Sequence, residues 1–324
     1  MKKLVVIGCW LLVSSALNAH PGIGIVKDSK GNIYYTDLKQ VWKITPGGKK
    51  TVAVGGVHTH ELYIDPQDNL YGEHLWYNGE KLATWGHYAW CLKNTGDLVK
   101  EIEPTEGFLT NYSFVRDSSG NMFWVERFTS TRFMKKDKAG NISKIAEGKF
   151  GFVGWLHVTV NGTLYFTAGG KLYRLSPQGE FKILTDDIGS KTTKFTMMGR
   201  NYDSYGIWTD GNENIYIAMI DSKKVIRVNT DGTIDTVLKS GALWTVCSGL
   251  FDKENNLWVL ENSATNQVRA RKITTTDMAG KTDSKQYSNL HLFVTITTGL
   301  LAIGVLLLLK NQIMKIKKKL ASAL

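Results

Sequence analysis

Between residues 20 and 280 apolar and polar positions alternate in short runs, and the runs come in pairs. Each pair reads as an apolar alternation, an Asp or a similar residue, a tight turn closing on Asn or Thr, and an apolar-aromatic run. Six copies are present: Gly24 to Tyr34, Leu62 to Tyr71, Phe114 to Trp124, His157 to Tyr165, Gly206 to Tyr216 and Gly249 to Trp258. A period of two over a few residues predicts a β-strand with one face on a core. The Gly/Asn turn joins each pair into a hairpin. A second hairpin follows each first one, its turn marked by Gly48, Gly96, Gly140, Gly179, Gly232 and Gly280. No 3.6-residue apolar period runs through the region, which excludes a helical solenoid.

Four short strands per unit, recurring at 37 to 52 residues, are the signature of a propeller blade. A single four-stranded sheet cannot bury both of its faces. Six arranged radially cover one another and shorten the exposed edges. The expected fold is all-β: a six-bladed β-propeller of four-stranded blades over residues 20–280. Both chain ends depart from the pattern. Residues 1–19 have Lys2 and Lys3, an apolar stretch from Leu4 to Val13 and a small-residue end at Ala19, which reads as a signal peptide. Residues 281–289 form a polar linker. Residues 290–309 are expected to be a transmembrane helix, with 18 uncharged positions from Leu292 to Leu309 facing a hydrocarbon core about 30 Å thick. Residues 310–324 are a basic tail, and the lysine excess marks that side as cytoplasmic. The expectation is a single-pass protein of a bacterial inner membrane. The propeller lies on the periplasmic or extracellular side and the C-terminus in the cytoplasm.

Charge adds little beyond topology. Lys2, Lys3, Lys310, Lys315, Lys317, Lys318 and Lys319 account for seven of the eleven net positive charges. No Lys/Arg stripe runs between residues 20 and 289, so a nucleic-acid partner is not expected. With 10 Trp and only 5 Pro in 324 residues, the chain is not disordered. Three Cys make no disulfide framework. Cys91 and Cys247 fall in blades 2 and 6, separated by blade 1, and are expected to be buried thiols.

The stretches His20 to Tyr34 and Tyr205 to Asp210 with Asn214 to Ile217 resemble the blades of NHL-repeat propellers. More loosely they resemble the gluconolactonase/senescence-marker-protein family. The resemblance implies six blades, not an activity. It also implies a divalent cation held in the channel by acidic and Asn side chains at the blade entries. The entries here are Ile23, His60, Tyr112, Gly154, Tyr205 and Cys247, with Asn111 and Asp203 close by. Only His60 is a ligand type at that register, so the family's site is not carried over.

Chemistry is instead concentrated in blade 2, where the start of the first strand and the end of the second meet at one channel mouth. Its entry is Val57-His58-Thr59-His60-Glu61, and its second strand carries Glu73-His74. His58 and His60, two apart on extended chain, share a face. Imidazole with carboxylate suits one divalent ion such as Zn or Ca, with His58, His60, Glu73 and His74 as candidate ligands. The bland alternative is a hydrogen-bonded polar rim. Glu61 and Glu126 are the candidate bases. Asn111, Tyr112, Arg127, Asp203, Tyr205 and Glu261 are candidate ligand contacts at the other blade mouths. Carboxylates at the positions of Asp37, Glu126 and Glu261 also commonly cap backbone groups, and His157 reads as a core histidine. Two functions follow. The favoured one is a membrane-anchored propeller that binds a small molecule or a partner protein at its channel mouth. The other is a metal-dependent hydrolase or lyase of lactone-like small substrates.

Overall fold

The computed structural model describes residues 22–188, 204–263 and 265–274. The chain divides into two units, residues 1–278 and 279–324. The expected signal peptide, the linker, the transmembrane helix, the basic tail and Gly280 lie outside the described residues. No helix among the described residues is long and apolar enough to cross a membrane.

Twenty-two strands form six antiparallel sheets in chain order. Blade 1 comprises β1 (Ile25–Lys27), β2 (Ile33–Thr36), β3 (Gln40–Ile44) and β4 (Lys50–Gly55). Blade 2 comprises β5 (Leu62–Ile64), β6 (Leu70–Tyr77), β7 (Trp85–Leu92) and β8 (Leu98–Glu106). Blade 3 has β9 (Met122–Arg127), β10 (Thr131–Lys136) and β11 (Ile142–Gly148). Blade 4 comprises β12 (Val153–Val158), β13 (Leu164–Ala168), β14 (Lys171–Leu175) and β15 (Phe181–Thr185). Blade 5 comprises β16 (Ser204–Thr209), β17 (Ile215–Met219), β18 (Lys224–Val228) and β19 (Ile234–Lys239). Blade 6 has β20 (Trp244–Phe251), β21 (Leu257–Ser263) and β22 (Val268–Ile273). The protein is thus an all-β six-bladed propeller built on the four-stranded blade. In blade 3 the innermost strand is reduced to one bridge, Arg116 to Met122.

Five of the six inner hairpins are closed by an Asp carboxylate. In blade 1 the Asp28 carboxylate accepts from the backbone N–H of Lys30 and Asn32, from the Asn32 amide and from the Tyr34 hydroxyl. Asp65, Asp210 and Asp252 repeat this with Asn69 and Tyr71, Asn214 and Tyr216, and Asn256 and Trp258. Asp117 clasps Asn121 alone, and blade 4 substitutes Thr159, Asn161 and Thr163. The residue before the Asn or Thr has a positive φ in every blade: Gly31 80°, Asp68 62°, Gly120 80°, Gly162 81°, Glu213 62° and Asn255 61°. This is the three-residue loop with a left-handed closing residue. Gly, Asn and Asp adopt it readily and Glu less so.

Apolar clusters fill five of the blade interfaces. Tyr34, Val41, Leu62 and Trp90 join blades 1 and 2; Phe123, Phe133, Val153 and Phe166 join blades 3 and 4. Tyr165, Leu172, Ile207 and Ile217 join blades 4 and 5; Trp208, Tyr216, Val246 and Phe251 join blades 5 and 6. Ile25, Ile33, Tyr35 and Leu260 close the ring between blades 6 and 1, where Lys27 Nζ also donates to Phe251 O. Full burial of one such side chain contributes about 1.5–3 kcal/mol. Between blades 2 and 3 the packing differs. The Arg116 guanidinium lies 4.9 Å from the Tyr63 ring, 5.2 Å from Tyr71 and 4.9 Å from Tyr112. Cys91 and Cys247 are buried free thiols, as expected.

Asp252→Ala removes the acceptor for Asn256, Trp258 and Lys272. It should cost about 2–4 kcal/mol, read as a lower urea midpoint of the full-length protein. Asp137→Ala breaks the like-built clasp of an exposed outer hairpin and should shift the midpoint much less. Equal shifts would show that the inner clasps have no special weight.

Candidate functional site

The site grows from two segments of blade 2, the entry Val57 to Glu61 and strand β6. The entry is pinned on both sides. Its carbonyls accept from Leu75 N (His58 O), from Ile23 and Gly24 N (His60 O) and from the Thr36 hydroxyl (Thr59 O). Its Thr59 hydroxyl donates to Glu73 O. Trp90 Nε1 donates to the same carbonyl at 2.8 Å. The indole reaches it by lying flat on Gly72, where a Cβ would come within 2.2 Å of the ring. Gly72 therefore lets Trp90 fix the backbone of Glu73.

Glu73 stands at the centre. Its Oε1 accepts from His60 N at 3.3 Å and faces His60 Nδ1 at 3.2 Å. Its Oε2 lies 3.7 Å from His87 Nε2, while His87 Nδ1 donates to Gly107 O at 2.7 Å. His60 Nε2 meets His58 Nε2 at 3.2 Å, with the two rings tilted by 59°. His60 is buried and His58 half-buried. Burial and the neighbouring His60 hold the His58 imidazole below its ordinary pKa, against the pull of Glu73. Glu61 makes no hydrogen bond or ion pair among the described residues. The fold encloses it while some of its surface stays open to solvent. Burial, with a contribution from the Glu73 charge, pushes its carboxyl up to about 8. At neutral pH it is mostly protonated, whereas burial and its neighbours leave His58 neutral.

The four expected ligands His58, His60, Glu73 and His74 do not converge. β6 runs through Tyr77, so Glu73 and His74 are consecutive residues inside a strand, not at its end. Consecutive strand residues point to opposite faces. Glu73 shares its face with Leu75 and His87. His74 lies on the other face, stacked on Tyr88 at 5.0 Å and Trp76 at 5.8 Å. The His74 Nδ1 accepts from His58 N at 3.0 Å, and burial and His87 lower its pKa. No group of three His, Cys, Asp or Glu among the described residues is placed to hold a metal ion. The two facing imidazole nitrogens are the only part of a metal-binding set that these residues make, and no metal-dependent step is derived from them.

The remaining expected residues are spread over other blades. Glu126 accepts from Trp124 Nε1 at 3.3 Å on its own strand. Arg127 donates to Val153 O at 2.8 Å and ties blade 3 to blade 4. Asn111 is exposed with φ of 56°, and Tyr112 packs on Arg116. Tyr205 is buried edge-on against Trp155. Asp203 lies outside the described residues. Glu261, expected among the ligand contacts, is fully buried. Ser240 and Arg271 bind its Oε1, and Arg269 and Arg271 its Oε2. Burial opposes that charge, but Arg271, Ser240 and Arg269 together outweigh it and hold the carboxyl below its ordinary value. Glu261 is an ion-pair centre of blade 6. His157 is the core histidine expected: its Nε2 contacts Thr209 Oγ1 at 3.1 Å, and burial lowers its pKa to about 4. Sequence reasoning did not place His87 in the site. The pairing of Leu75 with His87 across β6 and β7, set by the connecting loop, brings it beside Glu73.

No family model and no curated protein matches the sequence. Solved structures do. A gluconolactonase from Xanthomonas campestris, XC5397, is similar at 10% identity over 73% of this chain and 81% of that one, with a TM-score of 0.51. An auxiliary nutrient binding protein from Bacteroides ovatus is similar at 11% identity over 78% and 69%, TM-score 0.51. Virginiamycin B lyase from Staphylococcus aureus is similar at 15% identity over 78% and 84%, TM-score 0.41.

The fold is that of a gluconolactonase-like six-bladed β-propeller. At such identities the likeness extends to the fold alone, and an enzyme and a binding protein share it.

The Glu61 carboxyl makes a pH signature. Its folded pKa, near 8, lies above the unfolded value of 4.5. The native state therefore holds more protons in that window, and stability falls as pH rises from about 4.5 to 8. Glu61→Gln removes the ionisation. Its unfolding midpoint should match wild type at pH 4 and exceed it at pH 8, with a difference growing by at most about 1.4 kcal/mol per pH unit. A constant difference across that range would show that Glu61 titrates normally.

Proposed function

We propose that the chain is a propeller that binds a small polar molecule at the mouth of its channel on blade 2. One observation carries this: Glu61 is an enclosed carboxyl with no hydrogen bond or ion pair among the described residues, in the same entry segment as the linked imidazoles of His58 and His60. Buried polar groups are otherwise satisfied within the protein, and a carboxyl left open in a concavity is a site for a ligand's polar groups. The chemistry suits a ligand with oxygen acceptors and hydroxyl donors. The apolar segments at the two chain ends support an exported, membrane-anchored protein with the propeller outside the cytoplasm.

A second reading is favoured by the same residue. A neutral imidazole at His58 and a carboxylic acid near 8 at Glu61 give the entry segment both a base and an acid. Such a pair can open an ester or a lactone without further groups. This makes the mouth a candidate hydrolase or lyase site for lactone-like small substrates. The gluconolactonase of X. campestris supports it only as a precedent on the same fold.

Sugar acids, δ-lactones and small esters should be screened against the full-length protein by thermal shift, with acid release recorded alongside. A hit should stabilise wild type and lose tenfold or more in affinity, about 1.4 kcal/mol, in His58→Ala/His60→Ala. Equal shifts in both proteins would place the site elsewhere. Binding without acid release would favour the binding reading over the hydrolytic one. Deleting residues 290–324 should release the protein from alkaline-washed membranes; retention would count against the anchor.

A further inference from the structure

We infer that His58, His60 and Glu73 form a proton relay: His58 Nδ1 is the base at the channel mouth, and Glu73 is the buried group that accepts the proton and returns it. This rests on the acid–base reading of the same site and deepens it.

The tautomers follow from the partners. An ionised carboxylate donates nothing. Glu73 Oε1 faces both His60 N and His60 Nδ1, so the proton on that line belongs to His60 Nδ1. A neutral imidazole carries one N–H, which leaves His60 Nε2 bare. His58 Nε2 stands 3.2 Å from it and supplies the proton between them. His58 Nδ1 is then bare, and it has no partner among the described residues. The neighbours lock this state. His58 N is spent on His74 Nδ1, which leaves the His74 proton on Nε2. The other oxygen of Glu73 is backed by His87, whose Nδ1 is held by Gly107 O. The Glu73 backbone is fixed by Thr59 and Trp90.

Three proton transfers then balance. A ligand hydroxyl, or a water attacking the ligand, gives its proton to His58 Nδ1. The His58 Nε2 proton passes to His60 Nε2. The His60 Nδ1 proton passes to Glu73 Oε1. Each imidazole gains one proton and loses one, so no imidazolium remains. The negative charge of Glu73 moves to the oxygen that lost its proton, and that oxygen keeps the electron pair. An oxygen leaving the ligand takes the proton back from His58 Nδ1 as the three transfers run in reverse, and Glu73 regains its charge. A lone histidine base would become a cation in a site where burial disfavours one. The relay avoids that cation by delivering the proton to a group that is negative beforehand. Glu73 is a positioning and proton-accepting residue, not one that touches the ligand.

Nitrogen-15 spectra of the histidine side chains in the full-length protein at pH 7 read this directly. The expected pattern is N–H on Nε2 of His58 and His74 and on Nδ1 of His60, all three neutral. Glu73→Gln keeps an acceptor for His60 Nδ1 and should keep the pattern. Glu73→Leu removes it and should move the His60 proton to Nε2. If Glu73→Leu does not fold, the wild-type spectrum decides alone. Two Nε2–H tautomers at His58 and His60, or a doubly protonated ring at either, overturns the relay. If the relay is correct and a lactone or ester is turned over, Glu73→Gln should lower kcat by 10²-fold or more with KM little changed. The ligand screen judges the underlying reading separately. A failed screen with the expected tautomers counts against lactones and esters and leaves the relay standing. A positive screen with the wrong tautomers sinks the relay and leaves the reading.

Discussion

The Asp clasp at five of the six inner hairpins is the interaction on which the rest of this propeller depends. An inner hairpin must turn through three residues at the crowded centre of the ring, and its turning N–H groups need acceptors there. An Asp carboxylate, itself buried in blades 1, 3 and 6, meets them at once and reaches across to the Asn that directly follows the turn. Buried N–H groups left unpaired cost about 1–3 kcal/mol each. The aromatic two residues further on closes the device from above: Tyr34, Tyr71, Tyr216 or Trp258 donates to the same carboxylate and packs on the next blade. One carboxylate therefore sets turn, register and interface together. With every inner hairpin anchored at that end, the opposite end of the channel is left to vary.

Blade 2 uses that freedom. Its β6 and β7 are eight residues long each, against four or five for the middle strands of blades 1, 4 and 5. The extra length carries both faces of the hairpin beyond the core. One face holds Glu73 and His87 against the entry segment. The other holds His74, Trp76 and Tyr88 in a stack over Gly86, where a Cβ would meet the Trp76 ring at 2.1 Å. The two faces have different tasks because a strand cannot put neighbours on one side. The stack stiffens the hairpin, and the inner face carries the ionisable groups.

Much of the fold was legible in the sequence. Six Asp- or Thr-led turns and the second-hairpin glycines marked the blades, because a turn with a positive φ leaves a compositional trace. Gly48, Gly96, Gly140, Gly179 and Gly232 do adopt it. The missing inner strand of blade 3 was not legible. The run Phe114-Val115 still alternates, and it is the Arg116–tyrosine packing that takes its place. The site was legible by address only. His58, His60 and Glu73 come together, but His74 was grouped with Glu73 although neighbours on one strand face opposite ways. His87 was missed because its place depends on the register across a loop. Glu261 looked like a mouth carboxylate by position. Arg269 and Arg271, which neutralise it, sit on the next strand, and strand alternation alone puts both on its side.

What separates a built site from a polar rim is whether its residues serve the fold. Glu261 does: it is charged, saturated and central to a blade. Glu61 does not. It is enclosed, makes no hydrogen bond among the described residues, and is pushed towards the neutral form by burial and then by the Glu73 charge. A glutamine or a leucine would spare the protein that cost. Strain and unmet desolvation of this kind concentrate where a protein acts on something else. His58 makes the same case from the base side, since its bare nitrogen completes no contact within the described residues. His58 heads a chain of satisfied groups, His60, Glu73 and His87. An arrangement held that firmly, with a ring nitrogen of His58 left without a partner among the described residues, is what supports the proposed ligand site.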